Sequence, residues 1–470
     1  MKPNAYLIKS TLVGALGGVL FGFDTAVIAG TTRALTERFS LTPGSLGLTV
    51  SIALWGTMLG AMFAAVLGER LGPRSSLRVM AVLYVLSAIG CAAALNWPVL
   101  VVSRFAVGLA IGGSSVLAPM YIADISPAKW RGRLVSVFQF DIVLGILTAY
   151  LSNYLIGQLH LGAYEWRWML GVAAFPAVLF FAMLYSIPES PRWLTKKHRI
   201  EHAREVLATI GEENPTAALS DIVASIGADV SHRSLTWRKY RRPIFLAVSI
   251  AMFNQLSGIN AILYYLNDIF LAAGFSKSSG ELQAVIVGLT FLVFTAIAMI
   301  LIDTVGRKAL LLCGSVGTAL CLVGVAAIFI SGQHKELLVW MLIGFIASFA
   351  ISQGAVIWVY ISEIFPNQVR IQGQALGTLT HWLMCAVISG VFPLMAVSFG
   401  GYPFLFFALM MVLQFFVVLF VFVETKGATI EEIERQLAIA DVGVVTTVKT
   451  AQEMTDDTLH TPGTERGEAC

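Results

Sequence analysis

Long apolar runs alternate with short polar breaks along nearly the whole chain. A membrane-spanning helix needs about 20 mostly apolar residues. Twelve runs qualify, near 8–30, 45–68, 76–95, 98–123, 134–157, 167–187, 243–272, 281–302, 308–331, 337–362, 372–398 and 402–423. Backbone in lipid has no water to bond, so these runs are expected to be helices. The breaks set the orientation. Arg70, Arg74 and Arg78 follow the second run, Lys129, Arg131 and Arg133 the fourth, Arg307 and Lys308 the eighth, and Arg370 the tenth. The intervening loops are poor in Lys and Arg, and 96–98 and 398–402 have none. This bias predicts a cytoplasmic location for the basic loops and for both termini.

The rhythm breaks twice. Residues 188–242 are polar, with helical stretches such as "KHRIEHAREVLATIG" whose apolar positions recur at helical spacing. They are expected to form a small cytoplasmic helical insert. After Glu424 the chain turns polar again. Residues 426–439 suit a short amphipathic helix, and "TDDTLHTPGTERGEAC" has the composition of a disordered segment. The predicted architecture is an all-α membrane protein of twelve transmembrane helices in two six-helix bundles. The bundles would be 1–187 and 243–424, with the insert at 188–242 and a tail at 425–470.

A repeat aligns across that split. "YIADISPAKWRGR" (121–133) and "YISEIFPNQVR" (360–370) share tyrosine, acid, proline and arginine at matched places: Tyr121, Asp124, Pro127 and Arg131 against Tyr360, Glu363, Pro366 and Arg370. "GERLGPR" (68–74) pairs with "DTVGRK" (303–308) at a similar offset. Two parallel six-helix halves with a binding site near midplane are a transporter design. The doubled acids and arginines lie at the cytoplasmic ends of runs four and ten. There they could pair across the halves when that side is shut, and charges at a membrane edge often mark moving parts. The bland alternative is that they only hold topology.

Composition narrows the class. The 470 residues are 57% hydrophobic and 13% charged, where a soluble domain carries roughly a quarter charged. The solvent is therefore lipid. A net charge of +3 gives no reason to expect nucleic acid. The cysteines (Cys91, Cys313, Cys321, Cys385, Cys470) form no CxxC pair and read as packing residues. No GxxxxGK[ST] phosphate loop and no metal-spaced His/Asp/Cys cluster occurs in the sequence. Neither an enzyme nor a cofactor is expected.

"PESPRWL" (188–194), "QLSGINAILYY" (255–265), "YISEIFPNQVR", "ETKG" (424–427) and the basic turns stand in one order along the chain. Together they resemble the sugar porter family of the major facilitator superfamily, over roughly 8–430. That family includes bacterial sugar–proton symporters and animal glucose facilitators. The resemblance implies alternating-access transport of a small-molecule sugar. It places sugar contacts at Gln139, Asn254, Gln255, Asn260, Trp358, His381 and Trp382. It places gate charges at Glu69, Arg70, Asp124, Arg131, Glu189, Arg307, Glu363, Arg370 and Glu424. A monomer is expected to suffice.

The residue chemistry suits that assignment. A sugar is a ring of hydroxyls with an apolar face. Amides both donate and accept, and an aromatic plate covers the C–H face. Gln255 and Asn260 flank Gly258, where a helix can break and free backbone groups. The bland alternative for buried amides is helix–helix hydrogen bonding. Four positions depart from the pattern. Asn254 and His381 replace amides but keep hydrogen-bonding capacity. Phe291 stands where relatives carry a contacting asparagine, and Asp141 where relatives are uncharged. The identity of the sugar is left open, and a polyol or inositol is an alternative.

Asp24 lies about six residues from the outer end of run one, and Arg104 about six from the same end of run four. At 1.5 Å per residue both are roughly 9 Å deep, so they can meet. An intramembrane carboxylate is costly and usually functional. Proton-coupled relatives carry Asp at this position and facilitators do not. The leading expectation is a sugar–proton symporter, against a static ion pair in an uncoupled facilitator. A sugar-binding sensor would need an output domain, and the tail is short and featureless. His381 is a second titratable candidate.

Overall fold

The computed structural model describes residues 4–127, 129–228, 235–366, 368–428 and 430–437. Among the described residues, twelve helices are long and apolar enough to cross a membrane. Spans one to six are Ala5–Gly30, Pro43–Leu71, Pro73–Ala93, Trp97–Ile125, Arg131–Gly157 and Gly162–Met183. Spans seven to twelve are Trp237–Tyr264, Lys277–Val305, Arg307–Ser331, Lys335–Glu363, Arg370–Phe399 and Tyr402–Val421. No strand occurs among the described residues. The fold is all-α, two six-helix bundles and a helical insert. Short helices at Pro191–Lys196, Ile200–Thr209 and Pro215–Ala228 make up the insert.

Local sequence sets the helix starts. The Oδ1 atoms of Asn4 and Asn96 accept from the backbone N–H groups of Leu7 and Val99. Thr42 does the same for Ser45, with Pro43 in the first turn. Each satisfies an otherwise orphaned donor, worth about 1 kcal/mol. Span seven departs from the sequence expectation. Its helical segment begins at Trp237, inside the segment assigned to the insert, and is kinked within "WRKYRR" at Tyr240 (φ −111°, ψ 22°) before the span proper. The short helix expected at 426–439 is observed over Ile430–Gln436. The tail beyond 437 lies outside the described residues.

The doubled phrase builds the same clasp twice. In the first half the Tyr121 hydroxyl donates to the Pro188 carbonyl at 2.9 Å. The Ser190 hydroxyl donates to Asp124 at 2.6 Å. The Arg74 N–H donates to Glu189 at 3.0 Å. In the second half the Tyr360 hydroxyl donates to the Val423 carbonyl at 3.2 Å. The Thr425 hydroxyl donates to Glu363 at 2.5 Å. The Arg307 and Lys308 N–H groups donate to Glu424, each at 3.0 Å. Gly72 (φ 90°) and Gly306 (φ 104°) make the two turns. A Cβ on either would stand within 2.9 Å of the glutamate oxygen. Each glutamate thus caps a helix N-terminus, where a negative charge is favoured. Burial alone would raise the Glu424 carboxyl pKa. The N–H groups of Lys426, Arg307, Lys308 and Thr425 outweigh burial and hold it below the ordinary glutamate value.

The bundles meet on the side away from the insert. A Cβ on Gly47 of span two would lie 2.0 Å from the Gly390 carbonyl of span eleven. The Tyr150 hydroxyl of span five donates to the Leu263 carbonyl of span seven at 2.8 Å. Gln158 bonds Ser278, and Lys277 pairs with Glu165. On the insert side, no hydrogen bond or ion pair of the predicted gate charges joins the bundles among the described residues. Gly47→Val is therefore expected to wedge the far seam open. The variant is expected to fold, to lose sugar uptake, and to expose an engineered cavity cysteine to a thiol reagent from the far side. Uptake equal to wild type would show that this contact is not needed for closure.

Candidate functional site

Span seven breaks where its sequence allows. Gly258 takes φ 80°, and helix resumes at Ile259–Tyr264. Tyr265 interrupts it again before Leu266–Ala272. Span ten holds a five-residue π turn, Ala350–Gly354, a distortion found often at functional sites. These two irregular stretches and span eleven enclose a cavity from one side. Phe21 and Thr25 of span one and Gln139, Ile142 and Ile146 of span five enclose it from the other.

All seven residues singled out as sugar contacts line this cavity. The Asn260 amide donates to Gln255 Oε1 at 2.8 Å and to Cys385 Sγ at 3.1 Å. Gln255 Nε2 donates to Asn254 Oδ1 at 3.0 Å and lies 3.3 Å from His381 Nε2. The Asn254 amide donates to the Gln353 carbonyl at 3.3 Å. The amides are thus mutually satisfied, yet arranged at a cavity wall where a hydroxyl can replace a partner. Beside them stand aromatic rings. His381 is 4.9 Å from Trp358 and 5.1 Å from Trp382 between ring centroids. Phe21 reaches Trp382 across the bundle interface at 5.6 Å. Phe291 fills the wall against Phe349 at 6.3 Å, so apolar bulk stands where an amide was expected.

Asp24 and Arg104 meet as the depth count predicts. Arg104 Nη1 donates to Asp24 Oδ1 at 2.6 Å. Arg104 is 1% exposed and Asp24 9%. The pair uses one arm of the fork: Arg104 Nε and Nη2 bond no protein group among the described residues. Asp24 faces span four while Phe21 and Thr25 of the same helix face the cavity.

Of the charges expected at the gate, those that pair do so within one half. Arg307 grips Glu363 with two bonds, 2.8 and 3.2 Å. Arg74 stands 3.6 Å from Glu189. Arg370 Nε donates to the Phe365 carbonyl at 3.3 Å and not to Glu363. Glu69 contributes its backbone carbonyl, which accepts from Trp193. Arg70 and Arg131 make no ion pair among the described residues.

The chain matches the sugar (and other) transporter family over residues 10–437. It belongs to that family. The sugar transporters most similar to it include the arabinose–proton symporter of Bacillus subtilis, 36% identical and covering 93% of this chain and 98% of the relative. The D-xylose–proton symporter of Escherichia coli is 34% identical, covering 92% and 96%. Among solved structures, the partially occluded inward-open xylose transporter XylE from E. coli aligns with a TM-score of 0.82 at 34% identity, over 91% of this chain and all of that one. The same symporter bound to 6-bromo-6-deoxy-D-glucose aligns at 0.75, over 93% and 100%. The chain is therefore a multi-pass membrane transporter of the sugar porter type, not an enzyme.

Sequence reasoning missed several bonding partners, among them those of the cavity-lining amides Asn254 and Asn260. Gln353 is 1% exposed and bonds Met411 Sδ. Its place beside Gly354 in an apolar span was the available signal. Cys385, read as packing, accepts from Asn260. The Lys277–Glu165 pair at the far seam was also unremarked, although charges at span ends were visible. Gln139→Ala and Gln255→Ala are each expected to weaken sugar affinity by roughly 1–3 kcal/mol, the cost of unpairing buried polar groups. Calorimetric titration of folded protein checks this. Wild-type affinity in both variants would move the sugar away from this wall.

Proposed function

We propose that the protein is a proton-coupled importer of a monosaccharide that works by alternating access. The observation that carries this reading is the Asp24–Arg104 pair inside a sugar-transporter fold. Protonating Asp24 removes its charge and leaves Arg104 an uncompensated cation in a dry site, a strongly unfavourable state. Proton binding therefore drives rearrangement of spans one and four. Span one carries that change to Phe21 and Thr25 at the cavity. The named relatives that couple sugar to protons support the same reading.

The basic loops assign the insert side to the cytoplasm, with both termini there. The seam closed on the far side then makes this conformer inward-facing. The likeness to the partially occluded inward-open and the inward-open XylE structures, each with a TM-score of 0.82, supports that reading. Gln139 from one bundle and Asn254, Gln255, Asn260 and His381 from the other bind the sugar hydroxyls. Trp358 and Trp382 cover its apolar face. The transporter functions as a monomer in the bilayer.

Asp24→Asn keeps the shape of the side chain but cannot cycle a proton. The variant is expected to lose sugar accumulation against a gradient while retaining sugar counterflow, both measured in proteoliposomes. Accumulation by the variant would place coupling elsewhere.

In the opposite conformer the two clasps approach each other, and Asp124, Arg131, Glu363 and Arg370 pair across the halves. One exposed pair contributes about 0–1 kcal/mol, so the effect comes from several acting together. Glu363→Gln combined with Arg370→Ala is expected to raise cytoplasmic thiol labelling of an engineered cavity cysteine and cut active transport. Sugar binding is expected to remain. Unchanged labelling would reduce the clasp charges to topology signals.

A further inference from the structure

Asp141 of span five is an intramembrane acid outside the Asp24–Arg104 pair and the clasps. It lies ten residues into span five, roughly 15 Å from the insert-side end. It is 8% exposed and has neither a hydrogen bond nor an ion pair among the described residues. It sits in a glycine seam between spans one and five. A Cβ on Gly18 would lie 3.3 Å from Asp141 Cβ and 2.6 Å from the Phe138 carbonyl. A Cβ on Gly22 would lie 1.7 Å from the Ile142 carbonyl.

The neighbouring charges are committed elsewhere. Span one presents Gly18 here, and its Asp24 is turned to Arg104 of span four. The other charge of span four, Asp124, is bonded to Ser190. Glu281 of span eight lies at the far end against Gly157, and Glu165 at the start of span six holds Lys277. An ionised carboxylate with no partner is disfavoured in such a place. A neutral carboxylic acid fits it. Asp24 has the opposite setting, facing a guanidinium that favours its carboxylate. One conformer thus holds two intramembrane acids, one placed to give up its proton and one suited to keep it.

Position connects them. Gly18 is six residues from Asp24 along span one, about 9 Å nearer the insert side. Gln139 and Ile142, which flank Asp141 in sequence, line the cavity, and this places Asp141 next to the cavity wall. We propose that Asp141 is the cytoplasmic station of the proton path, taking over the proton that Asp24 gives up. Asp141 first loses its proton to water in the inward-open cavity. The O–H bond of Asp24 then breaks, and its proton passes through water to the Asp141 carboxylate. The Asp24 carboxylate closes on Arg104. One proton enters the pair and one leaves, and the end state is the arrangement observed.

The proposal rests on proton-coupled transport, so the test separates the two. Full-length protein is reconstituted in lightly buffered proteoliposomes as wild type, Asp141→Asn, Asp141→Glu and Asp24→Asn. Sugar-driven proton entry and sugar counterflow at equal pH are both followed. A relay predicts that Asp141→Asn slows proton entry about tenfold or more and flattens its pH profile. Counterflow, which also reports folding, stays normal, and Asp141→Glu restores proton entry. Wild-type proton entry and pH profile in Asp141→Asn, with Asp24→Asn inactive, would overturn the relay alone. Equal loss of counterflow and proton entry, without rescue by Asp141→Glu, would make Asp141 a packing residue and also overturn it. Sugar uptake with no proton entry in the wild type would overturn the symport reading and the relay together.

Discussion

An arginine and an aspartate facing each other in hydrocarbon set the terms for the rest of the molecule. Burying a guanidinium costs several kcal/mol unless it is paired and hydrogen-bonded. Arg104 has one short bond to Asp24 and two donor nitrogens that meet no protein acceptor among the described residues. A pair built only for stability would use both arms of the guanidinium fork. An under-satisfied pair sits closer to the balance between holding and letting go. Its position matters as much as its strength. Asp24 shares a helix with Phe21 and Thr25, and Phe21 packs on Trp382 of the opposite bundle. Charge at one face of span one is thereby linked by contact to the aromatic wall of the cavity.

The second constraint is that the two bundles must separate and rejoin. The far seam combines a shared apolar core, in which Val27, Leu54 and Trp166 of one bundle cluster with Leu266, Phe270 and Phe291 of the other, with small residues at close range, Gly47 against Gly390, and a few polar bonds such as Gln158 to Ser278. In lipid, small residues gain packing from close backbone approach, without a hydrophobic penalty on separation. The insert side is organised differently. Each half completes its own clasp, with Glu189 and Glu424 capping helix starts, so each bundle stays rigid when the halves part.

Much of this was legible in the sequence, for physical reasons. Lipid imposes helix, so apolar run length alone located all twelve spans. A fixed rise per residue turned two positions, 24 and 104, into a contact. Gly258 marked a break because only glycine takes its left-handed conformation cheaply. The doubled phrase marked a duplicated structure, although its partners proved to lie within each half. What was not legible depended on tertiary context. The π turn at 350–354 has no local signature beyond small and polar residues. The sulfur of Cys385 becomes an acceptor only because Asn260 arrives from another helix. The "WRKYRR" stretch was assigned to the helical insert, whereas it forms a helical lead-in to span seven with a kink at Tyr240. Asp141 was visible as an oddity, but its isolation from every partner could be read only from packing.

The claim that sugar and proton move together is tested most directly at zero flux. Proteoliposomes are given a sugar gradient opposed by a pH gradient, and the sugar ratio at which net flux vanishes is found. The account predicts that this ratio departs from unity and follows the pH difference, by roughly tenfold per pH unit if one proton travels with each sugar. Flux that vanishes at equal sugar concentrations, whatever the pH difference, would contradict it.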